Sequence, residues 1–305
     1  MNSYNRLTAK MALNLAAPHT WVASVIPALF GVLFCRLNGL NLTLLQEILL
    51  IVACILMQSS VNTFNDYVDF VKGNDSAEDN VEESDAVLIY NHINPKDVLI
   101  LGIVYLIAGC SLGALACSRS GALPLTIGTI GAIIVVLYSC GPCAISYLPL
   151  GEIVSGFVMG VLIPLGIAAT ADGNLHFKVF IFALPLFLGI GLIMMTNNGC
   201  DIEKDRAANR HTLPTILGRE KTVQIYHILV AFWMFSIIAL SVVYLKKYGI
   251  VVLIPMVLGR KPFQRLLDSK LIPEKRVEQM KGIVLGNIIG NGGYLLVMII
   301  KIIVG

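Results

Sequence analysis
The chain has little charge. Of its 305 residues, 13% are Asp, Glu, Lys or Arg, about half the roughly 25% typical of soluble domains. That is too little polar surface for a soluble protein of this length. The same scarcity, beside so much apolar content, excludes a disordered chain. Neither sign of charge dominates. The formal net charge is +3 and the basic residues are dispersed, so no nucleic-acid partner is expected. Seven cysteines scattered over the length form no disulfide framework. What is present is apolar: 56% of residues are hydrophobic and the mean hydropathy is +0.80. The expectation is an all-α, polytopic integral membrane protein, with membrane lipid as a partner.

A helix needs about 20 mostly apolar residues to cross a hydrocarbon core of about 30 Å. Nine stretches are candidates: 20–36, 44–64, 98–118, 121–139, 147–170, 178–197, 223–245, 249–259 and 282–303. The eighth is short and is ended by Gly259-Arg260-Lys261-Pro262. About nine transmembrane helices in a single bundle are expected, with residues 1–305 as one domain. The first stretch follows a polar, mildly basic segment and starts too far in for a cleaved signal peptide.

Nine alternating helices would place 16 of the 22 Lys and Arg residues on the N-terminal side of the membrane. The positive-inside rule then makes that side cytoplasmic, in a cell membrane. The acids are uneven as well. Nine of 19 fall between Asp66 and Asp97, and four between Asp201 and Glu220. Both clusters lie on the cytoplasmic side of the same alternation, each at the end of an apolar helix.

The first cluster begins Asn62-Thr63-Phe64-Asn65-Asp66-Tyr67-Val68-Asp69-Phe70-Val71-Lys72-Gly73-Asn74-Asp75. The second reads Thr196-Asn197-Asn198-Gly199-Cys200-Asp201-Ile202-Glu203-Lys204-Asp205-Arg206. On a helix, Asn65 and Asp69 share one face, as do Asn197, Asp201 and Asp205, with Asn198 three before Asp201. Each motif is a short ladder of oxygen donors. Two facing ladders concentrate negative charge, which favours a cation between them. Oxygen-only donors suit Mg²⁺, which commonly takes one or two carboxylates with substrate phosphates and water. Lys72, Lys204, Arg206 and Arg210 stand near enough in sequence to hold further phosphate charge. The implied ligand is a diphosphate with a lipid tail. The bland alternative is solvated loop acids with helix-capping asparagines. It suits Asp75, Glu78, Asp79, Glu82, Glu83 and Asp85 better than Asp66, Asp69, Asp201 and Asp205, because acids at a membrane boundary are functional by default.

At these residues the chain resembles the UbiA superfamily of membrane prenyltransferases, which pair an NDxxDxxxD-type motif with a DxxxD motif in a nine-helix bundle. It is most similar to the 1,4-dihydroxy-2-naphthoate polyprenyltransferase branch of menaquinone biosynthesis. That branch shows NDYxDFxxGxD, matched by Asn65 to Asp75. Further similar stretches are Arg210-His211-Thr212-Leu213, Leu217-Gly218-Arg219-Glu220, and Tyr138-Ser139-Cys140-Gly141-Pro142 with Leu150-Gly151-Glu152. The chain departs from the family in three places. Gly73 stands where the general motif has its third acid. Ala17-Pro18-His19-Thr20 replaces an Arg-containing RPxT-like stretch. Ser84-Asp85-Ala86-Val87 replaces a GPxR-like stretch.

The resemblance implies Mg²⁺-dependent transfer of a polyprenyl group from a polyprenyl diphosphate to an aromatic acceptor. The acceptor implied is 1,4-dihydroxy-2-naphthoate, with a 4-hydroxybenzoate-like ring as the alternative. It implies Asn65, Asp69, Asp201 and Asp205 as metal ligands, with Asp66 as a ligand or support. Asp66, Asp69, Asp201 and Asp205 are then the catalytic acids. Asn65, Lys72, Tyr138, Asn197, Asn198, Arg206 and Arg210 are the substrate-binding set. Tyr138 would orient the ring or face the allylic cation, against its reading as an ordinary interfacial tyrosine.

Other readings stay open. Cys140-Gly141-Pro142-Cys143 has the C-x-x-C spacing of thiol oxidoreductases, although it lies between two apolar helices rather than after a strand. Glu152 fits a helix N-terminal acid or a substrate-side base. His19 fits a stand-in for the absent Arg or an interfacial cap, and His211 a phosphate contact. The run Arg260 to Lys281 fits the positive-inside signal. A transporter would more often place its charges at mid-span and break helices in both halves. A CDP-alcohol phosphotransferase would carry a contiguous DGxxAR-containing signature, which is absent.

Overall fold
The computed structural model describes residues 4–73 and 87–305. The acids Asp75, Glu78, Asp79, Glu82, Glu83 and Asp85 lie outside the described residues. The described chain is helical, with one isolated β-bridge between Asn5 and Ile93.

The helices, in order, are α1 (Ala9–Leu15), α2 (Val22–Leu37), α3 (Leu44–Lys72), α4 (Val87–Asn91), α5 (Pro95–Cys117), α6 (Ala122–Ser139), α7 (Gly151–Phe157) and α8 (Ile163–Asp172). They continue as α9 (Lys178–Phe182), α10 (Leu184–Cys200), α11 (Ile202–Ala207), α12 (Leu213–Leu217), α13 (Arg219–Leu245), α14 (Leu253–Leu258), α15 (Arg260–Leu267) and α16 (Arg276–Val304). Local chemistry sets several ends. Thr43 and Gln46 form a capping box at the start of α3, satisfying two orphan donors. Gly73, at φ +68°, ends α3 just past the first motif, a left-handed position that glycine adopts without strain. Between α7 and α8 the chain widens into a π turn over Val158–Leu162. Pro164 explains it, because a proline ring cannot fit against the carbonyl four residues back in an α-helix.

Six described helical runs are long and apolar enough to cross a bilayer, or seven if the bent pair Ala9–Thr20 and Val22–Leu37 is one span. The bend is 62°. It falls at the break between Thr20 and Val22, just after the 3-10 turn that follows Ala17 (φ +47°). The expected stretch 178–197 becomes the short α9 and a 17-residue α10. The expected seventh and eighth stretches run together in apolarity but not in direction. Lys246 takes φ +55°, and a Cβ on Gly249 would lie 2.2 Å from the Ser241 carbonyl oxygen. The chain therefore turns back on α13 through a 3-10 turn, α14 and α15.

Many large apolar side chains face outward, among them Ile228, Phe235 and Val243 on α13. In water they would be a liability, whereas in lipid they meet a solvent of their own kind. The protein is a multi-pass membrane protein. Inside, small residues bring helices close. A Cβ on Gly160 would sit 2.5 Å from the Phe187 backbone nitrogen. Asn287 donates to the Gly189 carbonyl (3.0 Å), Asn291 to Asn287 Oδ1 (2.9 Å), and Trp233 Nε1 to Asn291 Oδ1 (3.2 Å). This buried polar chain ties α10, α13 and α16 with its donors satisfied.

Candidate active site
The C-terminal end of α3, the α6–α7 loop, the N-terminus of α7, the end of α10, α11, the α11–α12 loop and the start of α16 meet at one end of the helices. Cross-links define the meeting. His211 N–H donates to the Tyr147 carbonyl (2.9 Å) and Val87 N–H to Asp66 Oδ2 (3.1 Å). Ser139 Oγ donates to Asn65 Oδ1 (3.2 Å). Below this junction lies a cavity of about 1030 Å³. Its mouth is polar, and its depth is lined by small and apolar residues such as Gly113, Gly128, Gly131, Ala132, Val135 and Ile163.

Nine of the expected site residues line this cavity: Asn65, Asp66, Asp69, Tyr138, Asn197, Asn198, Asp201, Asp205 and Arg210. Lys72 and Arg206 do not. Lys72 is exposed, with Nζ 4.0 Å from the centre of the Tyr147 ring. Arg206 is exposed and donates to the Thr215 carbonyl (3.2 Å). With His211 and Asn209 it borders a smaller recess of about 230 Å³. His19 lines the main cavity, in the 3-10 turn Pro18–Thr20 that precedes α2.

The first ladder forms as its spacing predicts. Asn65 Nδ2 donates to Asp69 Oδ2 (3.1 Å) along an unbroken α3. The second differs. The helix breaks at Asp201 (φ −101°, ψ 16°), so α10 carries Asn197 and Asn198 while α11 carries Asp205. The register survives because Asp201 N–H still reaches the Asn197 carbonyl (3.2 Å) and Asp205 N–H the Asp201 carbonyl (2.8 Å).

Each ladder is met by a guanidinium. Arg210 donates to Asp69 and lies 3.8 Å from Asp205 Oδ1. Its Cζ is 4.7 Å from the centre of the Tyr147 ring. Burial pulls Arg210 down to about 10. Arg276 Nε reaches both oxygens of Asp201 (3.0 and 3.1 Å), and its Nη2 reaches Asn197 Oδ1 (2.6 Å). Burial, then the neighbouring Asp201 charge, push Asp205 up to about 7 against a hydrogen bond from Thr212.

Arg276 lies in the basic run from Arg260 to Lys281, which in sequence reads as the topology signal. One sign of a further role was readable. It opens a long apolar helix, where the macrodipole disfavours a cation. Tyr147 and Ser139 carried no such signal.

Among the described residues, no three Asp, Glu, His or Cys side chains are placed to hold a metal by themselves. The donors present are carboxylate and amide oxygens, the set a hard cation prefers. Mg²⁺ takes few protein ligands and completes its shell with water and substrate phosphate. The residues therefore fit an ion that arrives with a diphosphate.

The profile of the UbiA prenyltransferase family matches residues 24–274. The chain belongs to the UbiA prenyltransferase family. It is 31% identical over 209 residues to the 1,4-dihydroxy-2-naphthoate octaprenyltransferase of Bacillus subtilis, covering 68% of this chain and 66% of that protein. It is 28% identical over 226 residues to UbiA prenyltransferase domain-containing protein 1 of Xenopus tropicalis, covering 73% and 64%. The matched segments thus span just under two thirds of each relative. Solved UbiA homologues share the fold. The Archaeoglobus fulgidus protein bound to GPP and Mg²⁺ superposes with TM-score 0.65 at 14% identity, covering 96% of this chain and all of that one. The apo Aeropyrum pernix protein gives 0.68 at 16% identity, covering 90% and 97%.

The C-x-x-C stretch occupies the loop after α6 of this UbiA family member. Burial raises the Cys140 thiol, with Lys72 acting in the opposite direction. A redox-active thiol is normally lowered instead. A Cys140→Ser/Cys143→Ser double variant is expected to leave the proposed activity within a few-fold of the parent, because serine keeps the size of each side chain and neither thiol lines the cavity. Mass-detected product formation with a polyprenyl diphosphate and an aromatic acceptor measures it, and loss of turnover would return the thiols to consideration.

Proposed function
We propose that residues 1–305 act as one prenyltransferase domain. It transfers a polyprenyl group from polyprenyl diphosphate to an aromatic acceptor, 1,4-dihydroxy-2-naphthoate, in a cell membrane with the motifs on the cytoplasmic side. The observation that carries the reading is two oxygen-donor ladders and two half-buried arginines at the mouth of one apolar cavity. The name of the Bacillus subtilis relative supports the acceptor, and the 16-to-6 split of basic residues supports the orientation.

Asn65, Asp69, Asp201 and Asp205 would hold Mg²⁺ together with the diphosphate, and Asp66, anchored by the Val87 N–H, supports the first ladder. The bound ion supplies Lewis acidity to the leaving group. Arg210, Arg276 and Lys204 line the mouth and take up charge that develops on the departing diphosphate oxygens. The allylic C–O bond breaks with its electron pair leaving on the diphosphate. The apolar wall keeps water from the cation that results, and Tyr138 borders it. A carbon of the electron-rich acceptor ring then bonds to the prenyl C1 and gives up the group it carried, a proton to the departed diphosphate or a carboxyl as CO2, which restores aromaticity.

Purified protein in liposomes, given Mg²⁺, a polyprenyl diphosphate and either 1,4-dihydroxy-2-naphthoate or 4-hydroxybenzoate, is expected to form prenylated naphthoate, read by mass. EDTA should abolish product. Product from 4-hydroxybenzoate alone would move the acceptor to the other ring class. No product from folded protein with either ring would overturn the reading.

A further inference from the structure
We propose that Glu152, Tyr138 and Asn198 form an acceptor subsite that recognises a phenolic hydroxyl, held between Glu152 Oε2 and the Tyr138 hydroxyl. The proposal rests on the prenyl-transfer reading and names the group by which the acceptor is held.

Glu152 opens α7 and is 6% exposed. Its Oε1 accepts from Asn198 Nδ2 (2.8 Å). Its Oε2 is buried and has no hydrogen-bond partner among the described residues. The Tyr138 hydroxyl is buried and unpartnered in the same way. The two groups lie on one spot of the fold. A Cβ on Gly151 would stand 3.5 Å from the Tyr138 hydroxyl and 4.0 Å from Asn198 Nδ2. Nor does the nearby Ser155 hydroxyl satisfy the carboxylate, since it donates to the Glu152 backbone carbonyl (3.2 Å). Tyr138, Asn198 and Ser155 all line the cavity.

Unpaired buried polar atoms are rare and call for a partner. Here one orphan accepts only and the other donates. A phenolic hydroxyl does both at once, giving its proton to Glu152 Oε2 and accepting from Tyr138. A diphosphate oxygen only accepts and would be repelled by the carboxylate. Recognition is thus divided. The guanidinium groups of Arg210 and Arg276 face the phosphate side, whereas the Glu152 carboxylate admits a neutral hydroxyl. A hydroxyl that donates to a carboxylate also leaves its ring richer in electrons, which suits a ring that must attack a cation.

The test measures binding of 1,4-dihydroxy-2-naphthoate and 4-hydroxybenzoate, each against its O-methyl ether, to detergent-purified parent, Glu152→Gln and Tyr138→Phe without prenyl donor. The parent is expected to prefer the free hydroxyl by about tenfold or more, because the ether leaves Oε2 unpaired. Glu152→Gln keeps an acceptor for Asn198 but turns the orphan into a donor. It should reduce the preference to less than about threefold, with affinity for polyprenyl diphosphate unchanged. Tyr138→Phe should weaken the hydroxyl compounds without restoring the ethers. A preference equal in parent and Glu152→Gln overturns the subsite, as does a parent that does not discriminate. So does a Glu152→Gln effect seen only as a lower unfolding temperature, which marks a helix-end or water-binding role. Hydroxyl preference without prenyl transfer overturns the functional reading and leaves the subsite. Transfer without hydroxyl preference does the reverse.

Discussion

Asp69→Asn is expected to lower Mg²⁺-dependent prenyl transfer by about 10²–10³-fold, the usual loss when a preorganised charge at a leaving group is removed. Asp69 sits where three roles converge. It accepts from Asn65 in the first ladder and from Arg210 across the cavity mouth, and in the proposed mechanism it holds the cation. An asparagine keeps the size and one oxygen but removes the charge. Arg210, already drawn down by burial, would lose the carboxylate to which it donates, and a half-broken buried pair is costly to stability. Folding and catalysis must therefore be separated. Size-exclusion behaviour and thermal unfolding report the first, and product formation at saturating donor reports the second. Asp69 and Arg210 act as a unit, so an Asp69→Asn/Arg210→Gln double variant should lose little more than the worse single variant. Near-parental turnover in a folded Asp69→Asn protein would remove Asp69 from the mechanism.

Arg276→Ala is expected to lower kcat/KM for the polyprenyl diphosphate by about 10²-fold, consistent with loss of a charge-assisted, two-pronged contact. One guanidinium binds Asp201 through Nε and Asn197 through Nη2. It ties the second ladder to the start of α16, across the helix break. Without it, the Asp201 charge that already raises Asp205 loses the cation bound to it, and the repulsion between the two acids grows. Arg276→Lys restores the charge but not the fork, so only partial recovery is expected. Steady-state kinetics over donor concentration measure both. If Arg276→Ala matches the parent while Arg260→Ala and Lys261→Ala do not, the basic segment matters for topology and not at the site.

The first ladder was legible to the atom pair, because Asn65 and Asp69 lie on one continuous helix whose 3.6-residue period fixes neighbours four apart. The second was legible in membership but not in form. Asn197, Asp201 and Asp205 keep their i,i+4 carbonyl contacts, yet the axis breaks at Asp201. Spacing encodes register and says nothing of a change in helix direction. Stretch 249–259 shows the same limit. Its apolar run is continuous with α13, and only the left-handed Lys246 and the close seat of Gly249 on Ser241 turn it back. Lys72 and Arg206 neighbour the motifs in sequence and stand outside the cavity wall, because adjacency along a helix end does not fix which way a long side chain points.

Composition and spacing alone specify a helical membrane protein, and two acidic motifs that close apolar helices on one side of it. Both follow from local quantities: scarce charge, runs of apolar residues, and the helical period. Packing in three dimensions makes Arg210 and Arg276 face those acids and sets Tyr147 beside Arg210 and Lys72. The same packing gives Glu152 and Tyr138 a shared buried spot with unpaired polar atoms. Asp69 and Arg210 are 141 positions apart and Asp201 and Arg276 are 75, and they are brought together by close helix packing at glycines and by a buried asparagine chain. A one-dimensional pattern carries no term for contacts of that kind.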